Sequence, residues 1–202
     1  MTEILTELLD RLSQIEHGFK HVQEAGDALL QRPDVPALAT ALLKDPRYQA
    51  RMLAVHLLGR ISSDNPQAME VLRTVVAKDS DWRVQEMLAK ALDQYGKDTG
   101  YEQALPLFRE WLASEEPNRK RAVVEGLRIW TSRPYFRDHP DVAVAMIGAH
   151  HADPSEYLRK SVGNALRDIR RKFPELVDAE VARWDTQNPL THLTRKLVEK
   201  SG

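Results

Sequence analysis

An all-α array of stacked helix pairs is the fold class this sequence predicts, and three observations predict it. Four helical segments align without gaps, their starts 34, 35 and 39 residues apart. Apolar residues recur three and four apart, as in Leu5, Leu8, Leu9, Leu12 and Ile15. Signals for strands are nearly absent.

The elements follow from the punctuation. Pro, Gly and Asp divide the chain into helix-sized pieces. The expected helices cover residues 2–16, 18–31, 34–44, 47–61, 65–78, 81–95, 100–114, 117–131, 140–151, 154–172, 174–184 and 189–200. The first, "MTEILTELLDRLSQIE", is acidic and amphipathic and unlike a signal peptide. "DPRY" from Asp45 and "DPSE" from Asp153 place an Asp at the expected N-cap, and in the second Pro154 takes the first helical position and Glu156 the third.

The four aligned segments are "ARMLAVHLLGRI" from Ala50, "VQEMLAKALDQY" from Val84, "RKRAVVEGLRIW" from Arg119 and "LRKSVGNALRDI" from Leu158. Leu58, Leu92, Leu127 and Leu166 share one register, and Leu57, Ala91, Gly126 and Ala165 the one before it. A helix-pair period of this length resembles that of HEAT repeats. One pair cannot bury its apolar face alone, so neighbours stack. The expectation is a single domain over residues 1–202, a curved right-handed solenoid with a concave basic groove lined by the second helix of each pair.

Bulk properties narrow the function. A chain of 202 residues with 42% hydrophobic and 29% charged residues suits one soluble core. It has no cysteine, which excludes disulfides and thiolate chemistry and suits a reducing, cytoplasmic setting. No apolar run approaches the ~18 residues of a membrane span. The net charge is −1, yet residues 118–173 hold twelve Lys/Arg against six Asp/Glu, so that segment carries +6 and the rest of the chain −7. Such asymmetry is a footprint for a polyanion.

The charges also line up in space. At 100° per residue, Glu86, Glu125 and Asp168 from three successive repeats fall within an arc of about 80° that also carries Lys90, Arg121, Lys160, Asn164 and Arg171, with Arg128 and Arg167 at its edge. One reading is a solvated polar face in which acids neutralise bases. The other is a cleft in which many cations grip phosphates and one or two carboxylates face a developing cation.

Three stretches, "DWRVQE" (81–86), "RKRAVVEGLRIW" (119–130) and "DPSEYLRKSVGNALRDIRRKFPELV" (153–177), resemble the AlkC/AlkD-like DNA alkylation repair family, the HEAT-repeat DNA glycosylases and their non-catalytic relatives. The likeness covers roughly residues 45–185. It implies excision of cationic N-alkylated purines such as 3-methyladenine and 7-methylguanine from double-stranded DNA, with no metal or other cofactor. Bond breakage leaves an oxocarbenium-like sugar that a fixed carboxylate can stabilise. In the AlkD branch a Trp lies four residues before the catalytic acid, which Trp82 and Glu86 match with Glu in place of Asp. An Arg one repeat on is matched by Arg121, while Lys160 stands where a second Trp is expected. In the AlkC branch the acids lie in an "EG.R" and an "N-x-x-x-D" segment, matched by Glu125-Gly126-Leu127-Arg128 and by Asn164 with Asp168. The resemblance therefore implies Glu86, Glu125 and Asp168 as catalytic acids. It implies Trp82, Arg121, Arg128, Asn164 and Trp184 as DNA contacts in a monomeric hydrolase of N-glycosidic bonds, and the cation cluster adds Arg159, Lys160, Arg167 and Arg171 as expected phosphate contacts.

The alternatives are a non-catalytic HEAT protein binding damaged or branched DNA, and a protein-binding scaffold, which the +6 segment disfavours. His17 and His21 have the i, i+4 spacing of a metal pair without an evident third ligand, and His150-His151 read as loop. Trp111 and Trp130 read as core. Trp184 suits either core or groove.

Overall fold

The computed structural model describes residues 3–200, and among these there are helices and turns but no strand. The predicted start of the first helix at residue 2 lies outside the described residues. The helices are α1 (Glu3–Ser13), α2 (Phe19–Leu29), α3 (Val35–Leu42), α4 (Tyr48–Ile61), α5 (Pro66–Thr74), α6 (Trp82–Thr99), α7 (Tyr101–Leu112), α8 (Pro117–Trp130), α9 (Pro134–Asp138), α10 (Pro140–Gly148), α11 (Glu156–Arg170), α12 (Pro174–Ala182) and α13 (Pro189–Glu199), with a 3-10 turn at Val76–Lys78. They group into two compact units, one ending at Gly100 and the other beginning at Tyr101. Gly100 takes φ 90°, a conformation costly for any side chain, and so ends α6 cleanly.

In the first unit α4 is central and packs on α2, α3, α5 and α6. Its Leu53, Val55, Leu57 and Leu58 are buried, as the shared register requires. Gly59 brings α4 against α6: a Cβ there would lie 2.7 Å from that of Ala91. In the second unit α11 packs on α8, α10, α12 and α13. Trp111 and Trp130 are core, with the Trp130 indole 4.7 Å from Phe108. α9 was not expected, because five residues are too few to show a period. Its Phe136 is buried beside Tyr101 at 5.6 Å.

The two Asp-Pro starts differ from expectation. Ser155, not Asp153, caps α11, its Oγ accepting from the Leu158 N–H, and Arg47 precedes α4. Each Asp instead accepts the N–H two residues on, from Arg47 and from Ser155; the Arg47 guanidinium also grips Asp45, whereas Asp153 is drawn to a cation from another helix. Asp153 meets Lys120 Nζ at 2.5 Å. Burial opposes ionisation of Asp153, but Lys120 and the Ser155 N–H outweigh it and hold its pKa below the usual carboxylate value.

A second repeat emerges at these loops. Arg51 lies six residues after Asp45 and donates to the carbonyls of Asp45 and Pro46 at 3.2 and 2.9 Å. Gln85, six after Asp79, donates to the Asp79 carbonyl at 2.8 Å, and Arg159, six after Asp153, donates to those of Asp153 and Pro154 at 2.6 and 3.0 Å. Rungs join neighbouring repeats within each unit: Arg51 to Asp79 at 2.6 Å in the first, Lys120 to Asp153 in the second. The donors Arg51, Gln85 and Arg159 satisfy loop carbonyls that neither helix reaches.

Candidate nucleic-acid interface

The second unit assembles most of the sequence-predicted residues on α8 and α11. Glu116 caps α8, accepting from the Asn118 N–H, and Pro117 takes its first turn, where the missing N–H costs nothing. Val123, Val124, Leu127 and Trp130 are buried on one side, which leaves Glu125 and Arg128 to the other. The glycine of Glu125-Gly126-Leu127-Arg128 has a packing reason. A Cβ at Gly126 would strike the Trp130 ring at 2.3 Å, so its absence lets the indole lie across the helix. On α11, Leu158, Val162, Ala165 and Ile169 are buried, and Asp168 lies on the polar side.

Arg128 joins the two helices. Its Nε and Nη2 each approach Asp168 Oδ2 to 2.5 Å, and its Nη1 lies 3.3 Å from Glu125 Oε2. Glu125, with 12% of its side chain exposed, also faces Arg121 Nη2 at 3.8 Å. Asp168, 21% exposed, has Arg167 at 3.8 Å and Arg171 at 4.0 Å. Burial lowers the pKa of Arg128, but Asp168 and Glu125 outweigh that and raise it. Two carboxylates thus sit among four arginines, a local charge of +2, and each carboxylate is held by a guanidinium.

The remaining predicted residues separate. Arg171 is 65% exposed and open to a ligand. Lys160 is exposed and paired with Glu156 at 2.7 Å. Asn164 is half-buried, one turn before Asp168. Arg121 is buried, its guanidinium 5.0 Å from the centre of the Tyr157 ring. Arg159 is buried and committed to the carbonyls of its own loop, so it is a structural rung rather than a surface cation. Trp184 is core: it stacks on His151 at 4.5 Å, and its Nε1 donates to buried Glu180 at 3.1 Å. Aromatic size and C-terminal position said nothing about that partner, because both lie in loop or turn neighbourhoods that a helical period does not reach.

Trp82 and Glu86 belong to the first unit, one turn apart on α6. Asp81 caps the helix, accepting from the Arg83 N–H at 2.9 Å. Trp82 is 45% exposed and has His17 edge-on at 5.3 Å, with the Arg83 guanidinium 4.8 Å from its ring and 4.4 Å from that of Tyr48. Glu86 is half-buried. Among the described residues no cluster of three or more His, Cys, Asp or Glu could hold a metal ion, and no helix is long and apolar enough to cross a membrane.

Two features escaped the sequence. Tyr157 was passed over although it is half-exposed beside Arg121. The loop contacts at 45/51, 79/85 and 153/159 recur at the same offsets as the helices that follow them, 34 and then 74 residues, and that spacing was a usable signal.

Fold and site together define a helical-repeat protein with an arginine-rich, acid-threaded face. A family model for HEAT repeats matches residues 35–128. The crystal structure of AlkD2 from Streptococcus mutans is 42% identical and superposes with a TM-score of 0.89, over 96% of this chain and 97% of that one. The crystal structure of smu.31 from Streptococcus mutans UA159 is 41% identical at a TM-score of 0.86, over the same shares. The Pseudomonas fluorescens alkylpurine DNA glycosylase AlkC, bound to DNA containing an abasic site analog, is 19% identical with a TM-score of 0.50, over 89% of this chain and 60% of that one, a likeness of fold. No curated protein sequence matches the chain. The chain belongs to the AlkC/AlkD-like DNA alkylation repair family.

Proposed function

We propose that this chain binds the DNA backbone through the arginines of α8 and α11, and that Glu125 and Asp168 position those arginines rather than perform chemistry. The observation that carries this reading is the Arg128 bridge, whose guanidinium meets Asp168 at 2.5 Å and Glu125 at 3.3 Å. A carboxylate held this closely by a guanidinium has its field largely cancelled, and a cationic sugar would gain little from it. Arg171, 65% exposed and 4.0 Å from Asp168, is less tightly held and keeps its guanidinium fork for phosphate oxygens. The AlkC glycosylase, which is similar in fold, was crystallised bound to DNA containing an abasic site analog, and this supports the reading.

A second reading, excision of 3-methyladenine and 7-methylguanine, rests on Trp82 and Glu86. An exposed indole one helical turn before a carboxylate offers a stacking face for a nucleotide, and the carboxylate can stabilise the cation that develops as the bond breaks. This reading assigns the chemistry to Glu86 alone.

Both are tested on methylated duplex DNA, with binding and single-turnover release of methylpurines measured in parallel. Arg171→Ala should weaken binding about equally across sequences and flatten its salt dependence, since one phosphate contact is lost. Glu125→Gln and Asp168→Asn should leave any excision unchanged. A loss of ~100-fold or more in either, with binding kept, would restore them as catalytic acids. If wild type releases methylpurines and Glu86→Gln does not, the second reading stands. Binding that ignores salt would remove the backbone reading.

A further inference from the structure

Tyr157 is a large aromatic residue in the first turn of α11 with 49% of its surface exposed, on a helix whose polar side is otherwise dominated by cations. Leaving such a ring in water forgoes the burial that stabilises other aromatics of the same unit, such as Phe108 and Phe136. The ring is nonetheless placed. The Arg121 guanidinium from α8 stands over it, 5.0 Å from the centroid, and Arg121 is itself buried and faces Glu125 at 3.8 Å. Glu125 in turn is gripped by Arg128, the arginine that also holds Asp168. The chain of contacts Tyr157, Arg121, Glu125, Arg128 and Asp168 therefore links a half-open aromatic surface to the arginine cluster of α8 and α11.

We propose that Tyr157 is a stacking platform for one unpaired, electrically neutral nucleobase of the DNA, an inference that rests on the backbone-binding reading above. A planar ring beside cations is the combination that unpaired nucleic acid recognises, with the cations taking the backbone and the ring taking a base. The arginine already on the ring sets the preference. A tyrosine face attracts cations through its negative quadrupole, and Arg121 uses that attraction. A second, positively charged base on the same ring would meet an electron system already drawn toward Arg121 and would be repelled by the guanidinium. A neutral base stacks without that penalty. The platform therefore discriminates against the cationic alkylpurine itself and favours a neutral base left without its pairing partner. It needs no base-specific hydrogen bond, so it tolerates any neutral base.

The test is fluorescence anisotropy of the full chain with three labelled duplexes: fully paired, carrying one unpaired adenine, and carrying one unpaired 7-methylguanine at the same position. Wild type should bind the adenine bulge more tightly than the paired duplex and more tightly than the cationic bulge. Tyr157→Ala should lose about tenfold on the adenine bulge and almost nothing on the paired duplex, whereas Tyr157→Phe should behave as wild type. The paired duplex is the internal control for folding. Arg171→Ala, by contrast, should lower affinity for all three together. Equal binding of bulged and paired duplexes by wild type, or equal losses on both by Tyr157→Ala, would overturn the platform while leaving backbone binding intact. A stronger preference for the cationic bulge would overturn the charge argument and with it the proposal. Absence of binding to every duplex would overturn the backbone reading and the platform with it.

Discussion

Removing Arg128 tests whether the stripe is a neutralised network. In Arg128→Ala, Asp168 loses a guanidinium at 2.5 Å and Glu125 one at 3.3 Å. An exposed pair would cost at most about 1 kcal/mol, and a fully buried one about 3–5 kcal/mol once a charge is stranded. This site lies between. Glu125 and Asp168 keep only 12% and 21% of their side-chain surface, but Arg128 is 39% exposed, so water screens part of the interaction. Residual cations also remain, Arg121 at 3.8 Å from Glu125, and Arg167 and Arg171 at 3.8 and 4.0 Å from Asp168. The discounted loss is about 2 kcal/mol, roughly 1 for each carboxylate, read as a fall in the urea midpoint at unchanged slope. Neutralising the stranded acids with Glu125→Gln and Asp168→Asn in the Arg128→Ala background should recover about half of that or more, because residues sharing one network are not additive. An Arg128→Ala protein within ~0.5 kcal/mol of wild type, with no coupling in the cycle, would refute the view that the arginine and the acids exist for each other.

Two further outcomes are expected. Burial pushes the His56 imidazole down more than Asp27 raises it, and burial together with Lys120 lowers that of His150. The unfolded chain then binds more protons, so their contribution is present above the ordinary histidine pKa of ~6.5 and is lost as pH falls through it toward the folded values. Urea midpoints should drop between pH 7.5 and 5.5, and less so in His56→Gln/His150→Gln; an identical drop in the double variant would assign the effect elsewhere. Gly59→Ala should destabilise by about 1–3 kcal/mol through overpacking, despite the better helix propensity of Ala, because the new Cβ would lie 2.7 Å from that of Ala91. Adding Ala91→Gly should recover part of the loss, and a wild-type thermal midpoint for Gly59→Ala alone would show that α4 and α6 are not in close contact.

What the sequence by itself determined was whatever depends on local period. Twelve of the helices were legible because an apolar stripe at 3.6 residues and a Pro, Gly or Asp boundary are properties of a short window. The repeat was legible because each unit of it carries the same register, from Leu58 to Leu166. The polar arc was legible for the same reason, and α8 and α11 do bring Glu125, Arg128 and Asp168 together. Tertiary structure alone decided which charge meets which. Arg159 and Arg171 are both cations on α11 or at its end, yet one is buried against the carbonyls of Asp153 and Pro154 and the other is open to solvent. Trp82 and Trp184 are both tryptophans near a helix end, yet His151 and Glu180 enclose only the second. Asp153 has the sequence of an N-cap and the role of a rung, because Lys120 reaches it from another helix. A side chain's periodic position states the face it leaves from, and a partner tens of residues away settles whether that face is water, carbonyl or carboxylate.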